Sequence, residues 1–367
     1  MLNLSNRRRG FKTLLCTRVN NIESKTQQIK TSTKNSIIKD IFNINSSAQF
    51  KQLALVVFNY QFAQNEVYRN YIIALKINHE RITELEQIPF MPVEFFKSHT
   101  VISDPDEKNR ETIIKISESI VFTSSGEIQS KHLVSNVAIY EGSYRKGFEL
   151  FYGNIKEYCI LALLPSYLER DGSSLIYMAD DLIKATKHPS SGFFLNNYDE
   201  LILKLKQLEL QQQKTILLGV TYALLDLIGK EKFQLQHTII METGGMKGKR
   251  KEMVREELHA VLCEGFGVQK IHSEYGMTEL LSQAYSKGDG VFNSPPWMKI
   301  MIRDTNDPFS FLPHNKTGGI NIIDLANINS CSFIATQDLG KFFSDNSFEV
   351  LGRFDNSDIR GCNLLME

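Results

Sequence analysis

Short apolar runs separated by stretches of helical spacing constrain this chain more than any other feature of its sequence. Tyr158–Leu164, Thr215–Val220 and Gln236–Met241 each carry a block of Ile, Leu or Met with the length of a strand. Between them, Ser173–Ala185, Tyr198–Gln213 and a short segment ending near Gly229 have helical spacing. Lys251–Glu264 follows, with Val254, Leu258, Val261 and Leu262 on one face. Strands alternating with helices predict a mostly parallel sheet covered by helices, so the expected class is α/β. From Gly319 the pattern changes to short β runs, Ile320–Asp324, Ser332–Thr336 and Phe348–Leu351, which predict a smaller β-rich subdomain. Ahead of the alternation, Ile37–Glu86 has helical spacing around Phe50, Leu53, Val57 and Tyr60. Pro89 and Pro92 then break it.

Composition removes several classes of function. The 367 residues hold 42 Lys and Arg against 42 Asp and Glu, without the basic excess that phosphate-backbone binding usually leaves, so nucleic acid is not an expected partner. The five cysteines, Cys16, Cys159, Cys263, Cys331 and Cys362, are scattered, with no CxxC pair. That spacing suggests neither a disulfide framework nor a zinc site. The longest apolar run falls well short of the ~20 residues that span a membrane. The basic N-terminus lacks an apolar core with a cleavage site, so a cytoplasmic protein is expected. Residues 1–20 read as a flexible basic leader, 21–318 as an α/β core and 319–367 as the β-rich subdomain.

Five runs carry candidate chemistry. Val121-Phe-Thr-Ser-Ser-Gly126 ends a strand in a hydroxyl-rich turn, where Thr123, Ser124, Ser125 and Gly126 could cradle phosphate with Lys131 as counter-charge. It is not a P-loop, because GxxxxGK(S/T) is absent. Gly244 and Gly245 follow a predicted strand and allow backbone to approach a flat ligand or a phosphate. In Ser273-Glu-Tyr-Gly-Met-Thr-Glu279, Tyr275 could stack on a base beside Gly276, Thr278 could bond phosphate and Glu279 could hold Mg²⁺. Asp338, at the end of a β run, suits a pair of ribose hydroxyls. Arg353 in Gly352-Arg-Phe-Asp355 could reach phosphate or ribose. Cys362 near the end of the sequence has the chemistry to carry an acyl group, since a thiolate is a good nucleophile and a thioester a good donor. Each run taken alone also reads as an ordinary turn or surface segment.

In order and together, these runs resemble the adenylate-forming superfamily of acyl ligases. Ile88-Pro-Phe-Met-Pro-Val-Glu-Phe-Phe-Lys97, Leu164-Pro-Ser-Tyr-Leu-Glu-Arg-Asp-Gly-Ser-Ser-Leu175 and Arg360-Gly-Cys362 look more closely like the LuxE-type acyl-protein synthetases of bacterial fatty-acid reductase systems. The resemblance implies an ATP- and Mg²⁺-dependent ligase with an acyl-adenylating core and no C-terminal lid domain. Its substrate would be a fatty or related carboxylic acid. Its acceptor would be a partner protein such as an acyl reductase or an acyl carrier. It implies Cys362, Lys131 and Arg353 as catalytic residues and Glu279 as the metal ligand. Thr123–Gly126, Gly244, Gly245, Tyr275, Gly276, Thr278, Asp338 and Arg353 would bind the nucleotide. Two departures stand out: the phosphate loop is shortened, and Gln337 replaces the glycine before Asp338. An ATP-independent acyltransferase working through Cys362 and a non-catalytic nucleotide-binding scaffold are the alternatives.

Overall fold

The computed structural model describes residues 36–103, 120–123, 129–165, 172–244 and 253–354, with backbone alone for 120–123. Where the sequence predicts one helical stretch, the chain forms α1 (Ser47–Gln64) and α2 (Glu66–Ala74), divided at Asn65. Asn65 stops α1, and its side chain accepts from Tyr68 N to start α2. Phe50, Ala54, Val57, Phe58 and Gln61 form the buried stripe of α1. The two-residue strand β1 (Met91–Pro92) and the single-turn helix α3 (Phe95–Ser98) follow.

A hairpin of β2 (Ile120–Thr123) and β3 (Lys131–Val134) stands as its own two-stranded sheet. Next come α4 (Val137–Tyr152), β4 (Cys159–Leu163), α5 (Ser174–Thr186), β5 (Gly192–Phe194) and α6 (Tyr198–Leu210). Then follow β6 (Thr215–Val220), α7 (Thr221–Lys230), β7 (Thr238–Thr243), α8 (Arg255–Phe266) and β8 (His272–Tyr275). Strands β5, β4, β6, β7 and β8 are neighbours in that order and run parallel. Every residue of β4 and β6 is buried, as a sheet covered on both faces requires. Ser173 caps α5 through Ile176 N.

The strands β9 (Ala284–Ser286), β10 (Val291–Asn293), β11 (Met298–Arg303), β12 (Thr317–Asp324), β13 (Phe333–Phe342) and β14 (Phe348–Arg353) complete the sheet. They continue it antiparallel from β8 in the order β9-β10-β14-β13-β12-β11, and with β1 paired parallel to β13 they complete a 12-stranded sheet. The expected change to β structure at Gly319 therefore begins earlier, where β9 pairs back on β8. One hydrophobic cluster reaches from α1 to Phe348 across both halves.

Several element bounds differ from the sequence expectation. Strand β7 starts two residues later than Gln236, because Glu209 of α6 takes the amides of Gln236 and His237 before the ladder can. Helix α6 stops at Leu210, where Gln212 enters the left-handed region at φ 54°. Strand β13 runs six residues beyond Thr336, so Asp338 lies inside a strand rather than in a turn at its end. No described helix is long and apolar enough to cross a membrane.

Candidate active site

The carboxyl ends of β6, β7 and β8 lie side by side, with Val220 opposite Thr243 and Thr243 opposite Glu274. In open α/β sheets ligands bind outside these ends. Gly244 leaves β7 at φ +66°, a conformation that suits glycine, and its carbonyl accepts from Thr221 Oγ1 at 2.6 Å. Gly245 lies outside the described residues.

Tyr275 ends β8. Phe292 and Phe348 meet its ring edge-on, at 6.0 and 5.9 Å between centroids. Burial keeps its phenol protonated, and Tyr275 Oη donates to Asp338 Oδ2 at 2.7 Å. Arg353 sits opposite Asp338 across β13 and β14, and its Nε reaches Asp338 Oδ1 at 3.3 Å. The two partners differ sharply in exposure. The Asp338 side chain is 9% exposed and that of Arg353 72%, so the guanidinium faces solvent above a buried carboxylate. The structure thus brings together three residues that the sequence separates widely.

The run after Tyr275 is held at both ends. Before it, Thr243 Oγ1 donates to the buried Glu274 carboxylate. Behind it, the amides of Leu281 and Ser282 donate to Asp324 Oδ2 at 2.8 and 2.9 Å, and Ser282 Oγ donates to Asp324 Oδ1 at 2.6 Å. A Cβ on Gly276 would lie 2.5 Å from Glu274 Oε1, so any side chain there would displace the buried Glu274 carboxylate. His132 on β3 touches the run from the side: its Nδ1 lies 2.9 Å from the Thr278 carbonyl. A carbonyl only accepts, so Nδ1 carries the proton. Burial pushes His132 down to about 4, so the ring is neutral at pH 7. Glu279 is buried, and its carbonyl accepts from Asn327 Nδ2 at 2.7 Å. Burial raises the Glu279 carboxyl above its ordinary value, opposed by a hydrogen bond from Ser130 and by the positive charges of Arg353 and Lys97.

Lys131, between Ser130 and His132, is exposed at the start of β3. Strand alternation turns its side chain away from the face on which His132 meets Thr278. Thr123 pairs with Lys131 through the backbone, while Ser124, Ser125, Gly126 and Cys362 lie outside the described residues.

A small apolar cavity, about 20 Å³, lies behind the strands, lined by Phe148, Met178, Ala179, Leu218 and Met241 among others. Glu274 is the one titratable carboxylate on its wall. Desolvation pushes that carboxyl up to about 7, with Glu242 adding to the rise and the Thr243 hydroxyl opposing it. Glu274 and His132 are next to Tyr275 and Lys131 in sequence, with no sequence signal of their own. Only burial distinguishes them from surface polars.

The fold is that of the adenylate-forming acyl ligases. It matches an open conformation of 2-hydroxyisobutyryl-CoA ligase in complex with 2-HIB-AMP and CoA, with a TM-score of 0.60, 13% identity, and coverage of 85% of this chain and 72% of that one. The same ligase in the postadenylation state gives 0.59, at 13% identity, over 85% of this chain and 69% of that one. ATP-bound MatB from Rhodopseudomonas palustris aligns with a TM-score of 0.48 at 17% identity over 64% of this chain, which spans about half of that protein, 47%. The family model for acyl-protein synthetase, LuxE, matches residues 45–367, and the chain belongs to that family. A curated relative, the long-chain-fatty-acid–luciferin-component ligase of Vibrio harveyi, is 23% identical over 336 residues, covering 84% of this chain and 85% of the relative.

Proposed function

We propose that this chain uses ATP to activate a fatty acid as its acyl-adenylate and then carries the acyl group as a thioester on Cys362 for a partner protein. The observation that carries this reading is the convergence of Tyr275, Asp338 and Arg353 beside the pinned Thr278–Glu279 segment, at the carboxyl ends of the parallel strands. Asp338 would bond the ribose hydroxyls, since a carboxylate offers about four acceptor sites and its two present partners leave capacity. Tyr275 would lie against the base, Thr278 against the α-phosphate, and Gly244 and Gly245 along the nucleotide.

Mg²⁺ fits the residues present. Glu279 would supply one carboxylate. That suits an ion which takes one or two carboxylates and completes its shell with phosphate and water. Bound there, Mg²⁺ would neutralise phosphate charge.

In the first step an acid carboxylate oxygen attacks the α-phosphorus, the bond to the bridging oxygen breaks, and pyrophosphate leaves. Arg353, with the Thr123–Gly126 turn, would balance the charge that develops. In the second step the Cys362 thiolate attacks the acyl carbonyl carbon, the bond to the phosphate oxygen breaks, and AMP leaves. The apolar cavity beside Glu274, opened further, would take the acyl tail. The acceptor would be an acyl reductase or an acyl carrier, and the setting cytoplasmic.

Gel autoradiography with labelled fatty acids tests this, with and without ATP, on wild type and Cys362→Ser. ATP-dependent label that hydroxylamine releases and that Cys362→Ser loses is the expected result. Label that forms without ATP would instead identify an ATP-independent acyltransferase.

A further inference from the structure

Asp338 owes its position to a break in the β-ladder. Strands β12 and β13 pair in register up to Asn321 with Ala335 and again from Gly319 with Leu339. Between these points Ile320 alone stands opposite Thr336, Gln337 and Asp338. Such a bulge re-aims side chains but leaves backbone groups without ladder partners. Here the partners come from two side chains. The Thr336 hydroxyl accepts from Asp338 N at 3.1 Å and donates to the Ile320 carbonyl at 2.9 Å. Arg303, at the end of β11, supplies the rest. Its Nη2 donates to the Thr336 carbonyl at 2.6 Å, and its Nη1 to the Ile320 carbonyl and to Asn321 Oδ1, each at 2.8 Å.

Arg303 reaches β13 by crossing its own pairing partner, Gly319. A Cβ on Gly319 would lie 2.5 Å from the guanidinium carbon. The ring of Phe354, the residue after Arg353, also packs on the guanidinium, with its centroid 5.4 Å away. Phe354 N in turn donates to the Gln337 carbonyl at 2.8 Å. The planar fork thus lies close against Gly319 and the Phe354 ring, with the charges of Glu94 and Asp338 acting on it. A guanidinium can satisfy two carbonyls and an amide in one plane, which an ammonium cannot.

We infer that Arg303 is a positioning residue for nucleotide binding: it fills the β12–β13 bulge and so holds Asp338 toward Tyr275 and Arg353. This rests on the reading of Asp338 as a nucleotide ligand. ATP dissociation constants and thermal midpoints should be measured for wild type, Arg303→Ala, Gly319→Ala, Asp338→Ala and the Arg303→Ala/Asp338→Ala double variant. Arg303→Ala should weaken ATP binding by about tenfold or more well below its thermal midpoint, and added ethylguanidinium should restore part of the loss. The double variant should bind no worse than Asp338→Ala alone, because Arg303 acts through Asp338. Gly319→Ala retains both side chains but displaces the guanidinium, so it should mimic Arg303→Ala, and it serves if Arg303→Ala does not fold. A folded Arg303→Ala or Gly319→Ala that binds ATP as wild type does, or losses that add in full to that of Asp338→Ala, would overturn the inference while leaving the proposed function standing. Failure of the wild type itself to bind ATP would sink both.

Discussion

Tyr275 and Asp338, 63 residues apart in sequence, are joined by a 2.7 Å hydrogen bond from the phenol to the carboxylate. The bond ties the last parallel strand position to the antiparallel half of the sheet. It also fixes where the Asp338 carboxylate sits.

If Asp338 bonds the ribose, Asp338→Ala should weaken ATP binding by ~2–3 kcal/mol, or roughly 100-fold. Tyr275→Phe removes one of the bonds that orient Asp338 and keeps the ring, so its loss should be smaller. Calorimetric titration with ATP would measure both. Unchanged affinity in folded Asp338→Ala removes the ribose assignment.

Glu274 should make stability depend on pH. Its carboxyl, at 4.5 in an exposed setting, is held up to about 7 by burial. Tyr140 and Tyr152 of α4, Tyr285 of β9 and Glu242 of β7 surround it, and among the described residues no cation favours its charge. The folded state therefore prefers the proton. The stabilisation is fully present below the unfolded value and is lost as pH rises toward 7, at up to about 1.4 kcal/mol per unit. Buried His132 titrates in the opposite sense, so the quantity to measure is wild type minus Glu274→Gln in denaturant unfolding from pH 4.5 to 8. A difference that does not change across that window would show that Glu274 is charged in the fold.

Glu279→Gln should separate stability from activity. Burial disfavours the Glu279 charge, so a neutral amide of the same shape should leave the thermal midpoint unchanged or higher. If the carboxylate holds Mg²⁺, the Mg²⁺ concentration for half-maximal adenylate formation should rise by about tenfold or more. An unchanged Mg²⁺ requirement would remove Glu279 from the metal site.

Ala179, fully buried on α5, lines the apolar cavity. Ala179→Leu should fill it, at an overpacking cost of about 1–3 kcal/mol. If the acyl tail enters there, competition labelling with long and short acids should shift toward the short acid. An unaltered ratio in folded protein would put the tail elsewhere.

Much of the frame was legible in the sequence. Thr215–Val220 matches β6 residue for residue, because buried parallel strands depend on local pattern. The identities of Tyr275, Asp338 and Arg353 were legible too, because their chemistry resides in residue type and order. Their convergence was not. Asp338 read as the end of a β run because Thr336-Gln-Asp338 breaks apolar alternation, yet β13 continues through it.

The sequence by itself therefore determined the α/β class, most element positions and the residue types that could meet a nucleotide. Only the tertiary structure decided that Asp338 points at Tyr275, that Glu274 is buried at the wall of an apolar cavity, and that Arg303 holds the bulge. These depend on strand register and desolvation, which arise between segments far apart in the chain and leave no periodic trace within any one of them.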